Sequence, residues 1–119
     1  MPEKVEYFIK RVRKRRKYFE RYLDYCKLIK NKVCKRFGPV RVIVFGSILR
    51  GDYNLALSDI DVLIITPIEA SSSQRAKIIS YVKNDVLKDP AAPFEIHIVS
   101  EEEYREWYKR FIDVELEVQ

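Results

Sequence analysis

"FGSILRGDYNLALSDIDVLI", residues 45–64, joins the end of one apolar run to the start of the next. VRVIVF (40–45) before it and DIDVLII (59–65) within it are β-branched runs of the kind that form buried strands, the second halted by Pro67. On a strand, residues two apart point to the same face, so Asp59 and Asp61 project together while Ile60 and Val62 enter the opposite side. Two neighbouring carboxylates repel. A divalent cation between them removes the conflict, and hard oxygen ligands suit magnesium or manganese. At the other end of the stretch, Gly46 lets the backbone turn sharply and approach a ligand. Ser47 reads as the N-cap of a short helix over residues 48–51, and free N–H groups at such a turn suit a phosphate. Alone, Asp-x-Asp is more often an exposed strand edge and Gly-Ser a common turn. Joined by one short loop, they supply the two halves of a nucleoside triphosphate site.

The elements around this stretch fill one small domain, residues 1–119, divided into a basic helical segment (1–37) and a core (38–119). Apolar residues at steps of three and four (Val5, Phe8, Ile9 and Val12, then Phe19, Tyr22, Leu23, Cys26, Ile29, Val33 and Phe37) mark the segment as helical. Arg15 and Arg16 interrupt the stripe. The expectation is one long helix whose first part leaves the core, or two helices meeting near residue 15, with Gly38 and Pro39 as the stop. Residues 71–88 read as a helix and FEIHIV (94–99) as a third strand. Ser100 and Glu103 form a capping box for a last helix, whose apolar face is Tyr104, Trp107, Tyr108 and Phe111. DVELEV (113–118) alternates as an edge strand would. The order predicts a small α/β (α+β) fold, with helices packed on a mixed sheet and a long basic helix in front.

The net charge of +5 is uneven, +10 over residues 1–37 and −5 over residues 38–119. Lys10 to Lys17 (KRVRKRRK) is basic at every position but Val12, which fits a solvated helix face or a phosphate-contacting run. Cys26 and Cys34 lie eight residues apart on one helix, too far for a disulfide, and read as small packing residues. No apolar stretch approaches the ~20 residues needed to span a bilayer, and the first residues lack a secretory core, so a cytoplasmic location is expected.

Gly46-Ser47, eleven residues, then Asp59-x-Asp61, with Arg50-Gly51 in the loop and Ser58 before the first aspartate, resembles the signature of the DNA polymerase β-like nucleotidyltransferase superfamily. Over roughly residues 16–112 the chain is similar to its minimal nucleotidyltransferases. The loop YNLAL (53–57) is more apolar than usual there, which suggests a partner contact or a closed loop. The resemblance implies a third acid, best placed at Glu95, since Glu95, His97 and Val99 share one strand face and Phe94, Ile96 and Ile98 the other. His97 reads as a hydrogen-bonded structural histidine. It also implies two magnesium ions (manganese as substitute), one on Asp59 and Asp61 and one on Asp61 and Glu95. Gly46 and Ser47 would grip the leaving pyrophosphate, with Arg50 as a neutralising group or a surface ion pair. AMP from ATP would pass to a hydroxyl of a partner, because minimal members often act as antitoxins of small helical HEPN-type proteins.

Two other classes stay open: a binding module that blocks a partner by contact, and a nucleic-acid binder acting through Lys10 to Lys17. Tyr18, Tyr22 and Tyr25 form a ridge that suits either an interface or scattered surface positions, and Trp107 is expected in the core. The long helix predicts a homodimer or a partner complex. Residues 1–15 are expected to serve that assembly and to be dispensable for metal-dependent nucleotide binding.

Overall fold

In the computed structural model, which describes residues 2–119, the chain opens with two helices, α1 (Glu3–Glu20) and α2 (Tyr22–Phe37). They meet at Arg21, not near residue 15. Hydrogen bonds from Arg21 N to Lys17 O and from Tyr25 N to Arg21 O carry the path across the joint. The two adjacent charges at 15 and 16 do not stop a helix, because arginine is a good helix former. Arg15 in fact continues the inward stripe and is buried, 7% exposed.

Strands β1 (Arg41–Phe45), β2 (Ile60–Thr66), β3 (Phe94–Ser100) and β4 (Glu115–Glu117) form one mixed sheet in the order β3-β2-β1-β4. β1 runs antiparallel to both β2 and β4, and β2 runs parallel to β3. Parallel neighbours need a crossover. It is supplied by α4 (Ser72–Ser80), which continues as a π-helical segment, Tyr81–Val86. The alternating tail does pair as the edge strand, with Val118 N donating to Val42 O at 2.8 Å.

Alternation assigns the two faces. Val42, Val44, Ile60, Val62, Ile64, Phe94, Ile96 and Ile98 face α1, α2 and α4, meeting Phe19, Cys26, Ile29, Val33, Ile78 and Val82 in the main core. The opposite face is covered only in part. Ile43, Leu63, Ile65 and Val99 pack under Tyr104, and the strip holding Asp61 and Glu95 lies beyond that cover.

The capping box forms as expected: Ser100 Oγ accepts from Glu103 N at 3.1 Å, and Glu103 Oε1 accepts from Ser100 N at 3.2 Å. The Glu103 carboxylate, also held by Arg75 at 3.0 Å, lies below the usual range through these bonds, although burial works against them. Ser100→Ala is expected to cost about 1 kcal/mol, measured as a shift of the urea midpoint at unchanged slope.

The helix it starts departs from expectation. α5 (Glu101–Glu103) passes through a π-helical segment, Tyr104–Tyr108, into α6 (Lys109–Phe111). The wider turn rotates the side chains off the 3.6-residue stripe. Tyr104 is buried, while Trp107 is 63% exposed and Phe111 78%, so Trp107 is not a core residue. The tyrosine ridge dissolves as well. Tyr18 is buried with its hydroxyl on Asp89 Oδ2 at 2.7 Å, and Tyr25 packs on Tyr18 and Phe94.

Candidate active site

Register places the acids. Asp61 on β2 is paired with Phe45 on one side and Glu95 on the other, so the three side chains lie in a row across the uncovered strip, with His97 two residues along β3. Ligand atoms of Asp61, Glu95 and His97 all lie within 4.8 Å of one another, and His97 Nε2 is 3.6 Å from Glu95 Oε1. Of the three acids named from the sequence, Asp61 and Glu95 are thus brought together. Asp59 ends the loop before β2, half-exposed, with Arg15 at 3.8 Å from its Oδ1. Its charge still reaches Asp61. His97 joins the two acids in this cluster, a placement that its shared strand face with Glu95 signals.

Gly46 closes the back of this row. It has φ +87, ψ −155, and a Cβ there would stand 2.3 Å from Asp61 Oδ2. Only glycine fits both the backbone and the carboxylate. Gly46, not Ser47, is the N-cap of the short helix α3 (Ser47–Arg50): its carbonyl accepts from Leu49 N at 3.1 Å and Arg50 N at 3.3 Å, and Ser47 is the first helical residue. Arg50 is engaged by Asp52 at 3.2 Å and Asp113 at 3.3 Å. It still opposes the raising of the Asp61 carboxyl.

The loop between α3 and β2 is closed on itself. Asn54 Oδ1 accepts from Ala56 N at 2.8 Å and Leu57 N at 3.1 Å, and Ser58 Oγ accepts from Asn54 N at 2.8 Å. Its apolar residues divide, Leu55 packing on the main core and Leu57 exposed.

Burial, followed by the charge and hydrogen bond of Glu95 and the charge of Asp59, pushes the Asp61 carboxyl up to about 6. Among the described residues no Lys or Arg pairs with Asp61 or Glu95 within 4.0 Å. Crowded carboxylates with no cation, beside an imidazole, are a donor set that fits a hard divalent ion. A raised folded-state value makes the native chain bind more protons than the unfolded one between about pH 4 and pH 6, so this group's contribution to stability falls as pH rises through that window. Wild type minus Asp61→Asn, followed by thermal melts in chelator from pH 4 to 7.5, should show that decline. Magnesium should remove it.

A cleft of about 480 Å³ opens beside the acids, walled by Phe45, Asp61, His97, Trp107, Tyr108 and Phe111. A larger recess of about 570 Å³, lined by Arg36, Ser73 and Tyr81, lies away from the acids and holds no such cluster among the described residues.

Comparison with known proteins bears on the family and the fold. The family model described as a nucleotidyltransferase domain matches residues 26–116. One solved structure, a presumed nucleotidyltransferase, is 26% identical with a TM-score of 0.61, covering 83% of this chain and 99% of that one. A second, a presumed nucleotidyltransferase from Sulfolobus solfataricus, is 23% identical with a TM-score of 0.53, covering 87% of this chain and 85% of that one, and shows the shared fold. Among curated proteins none matches. With most of its length matched and its acids arrayed on adjacent strands behind a glycine turn, the chain belongs to the nucleotidyltransferase domain family.

Proposed function

We propose that the chain transfers a nucleoside monophosphate, AMP from ATP, to a hydroxyl of a partner protein, as the antitoxin of a HEPN-type helical toxin. The observation that carries the transfer chemistry is the pairing of Asp61 with Glu95 on parallel strands, with Gly46 packed against Asp61. The acceptor and the antitoxin role rest on the sequence resemblance to minimal nucleotidyltransferases.

Asp59 and Asp61 would hold the magnesium that accompanies the triphosphate, and Asp61 with Glu95 a second one, His97 standing ready beside it. When bound, such ions neutralise charge on the entering and leaving oxygens and lower the pKa of the attacking hydroxyl. Gly46 and Ser47 would border the phosphates, and the absent Cβ at Gly46 makes room for the Asp61 carboxylate beside them. The acceptor oxygen bonds to the α-phosphorus as the bond to the bridging oxygen breaks. Pyrophosphate departs, and the hydroxyl proton passes to water at the exposed edge beside Glu95. Burial of Asp61 keeps that carboxylate fixed against the sheet while the edge stays open to an acceptor.

Incubation with ATP, magnesium and a co-purifying partner, followed by intact mass measurement of both proteins, tests this. A gain of one nucleoside monophosphate on the partner is expected. No gain on either protein with any of the four ribonucleotides, or ATP binding unchanged in excess chelator, would overturn it.

A further inference from the structure

We infer that α1, which lies outside the stretch matching the nucleotidyltransferase family, braces the candidate site, and that Arg15 is a positioning residue for Asp59 and Asp61. The inference rests on the metal-binding reading of those acids.

Arg15 is the one arginine or lysine that is buried among the described residues. Its guanidinium is spent on the loop that leads into β2. Nε donates to Leu55 O at 2.6 Å, Nη2 donates to Ser58 O, and the same Nη2 stands 3.8 Å from Asp59 Oδ1. The two carbonyls sit three residues apart in the chain, and one rigid plane with separated donors reaches both. That fixes the height and direction at which residues 58 and 59 enter the strand.

A second hold lies one turn away. Tyr18 Oη donates to Asp89 Oδ2 at 2.7 Å, Lys14 Nζ reaches the same oxygen at 3.2 Å, and Asp89 Oδ1 accepts from Ala91 N at 3.1 Å. From there the chain runs through Pro93, whose carbonyl accepts from Ile60 N at 2.7 Å, into β3 and Glu95. Along one helix face, Arg15 therefore holds the approach to Asp59 and Asp61, and Tyr18 with Lys14 the approach to Glu95. The spacing of the acids depends on both. This placement runs against the expectation that residues 1–15 are separable from the site.

The test measures Mn²⁺ binding to the full chain, by loss of the free-ion electron paramagnetic resonance signal, in wild type, Arg15→Met and Arg15→Lys. All are held at a temperature where circular dichroism shows each fully folded. Arg15→Met should weaken Mn²⁺ roughly 10- to 100-fold, as loss of a group that orients a metal ligand does. Arg15→Lys should recover only part, because a single nitrogen on a flexible stem does not reproduce the fixed, separated Nε and Nη2 donors. Amide exchange at Leu57 and Ser58, whose N–H groups bond to Asn54 O, should accelerate in Arg15→Met. Folded variants with wild-type Mn²⁺ affinity and unchanged exchange would overturn the brace, leaving Arg15 a purely stabilising residue. Wild type that takes up no Mn²⁺ would instead overturn the functional reading, and the exchange comparison then decides the brace by itself. Should Arg15→Met fail to fold, Arg15→Lys carries the same comparison.

Discussion

Asp61→Asn is expected to lower nucleotidyl transfer by more than about a hundredfold, since even groups that merely orient a metal ligand act on that scale. The same substitution should leave the metal-free fold at least as stable. Asp61 is the acid whose carboxyl is pushed up to about 6, by burial and then by Glu95 beside it, so a neutral amide of the same shape removes a repulsion above that pH. Opposite movements of activity and melting temperature separate a ligand from a residue that is only structural. The check is intact-mass kinetics with the partner, set beside melts in chelator at pH 7.5. A parallel fall in both would assign Asp61 to the fold.

Gly46→Ala should be the most damaging change outside the acids. The residue occupies φ +87, ψ −155, a region open to glycine almost alone, and holding alanine there costs of order 1–3 kcal/mol. Its Cβ would also come 2.3 Å from Asp61 Oδ2, so the carboxylate must move. Gly51→Ala is the control. It has φ +81 but nothing within 4 Å of an added Cβ, so it suffers backbone strain without disturbing the acid row. Urea denaturation should show both losing stability. Mn²⁺ titration should show only Gly46→Ala losing the ion. Equal Mn²⁺ affinity in the two variants would remove the close approach of Gly46 to Asp61 as a functional feature.

Neither variant touches the brace along α1, and this bears on how the site is assembled. Asp61 and Glu95 belong to strands whose neighbours and register are set by the hydrophobic core, whereas Asp59 sits on a loop whose position is set by polar bonds to a helix. Core substitutions on β2 should therefore act first through stability. Changes at Arg15 should act first through the geometry of the entering loop.

What the sequence determined by itself was local. Three β-branched runs became β1, β2 and β3, since alternation and burial propensity act within a few residues, and Ser100 with Glu103 closed its capping box because both partners lie in one turn. The Gly46 turn and the shared face of Glu95 and His97 follow from the same short-range geometry. Tertiary structure alone decided the rest. Asp61 meets Glu95 only because residues 34 apart in the chain pair in register across parallel strands, a choice made by the whole core. Trp107 left the core through a π-helical turn that no apolar period announces, and Tyr18 entered it because Asp89 waited there to accept its hydroxyl. Arg15 carried a signal, its place between Val12 and Phe19 on the inward stripe, but a charge on such a stripe shows its purpose only when distant carbonyls come within reach. The fold supplied those carbonyls at Leu55 and Ser58, forty and forty-three residues along the chain, where local spacing has no say.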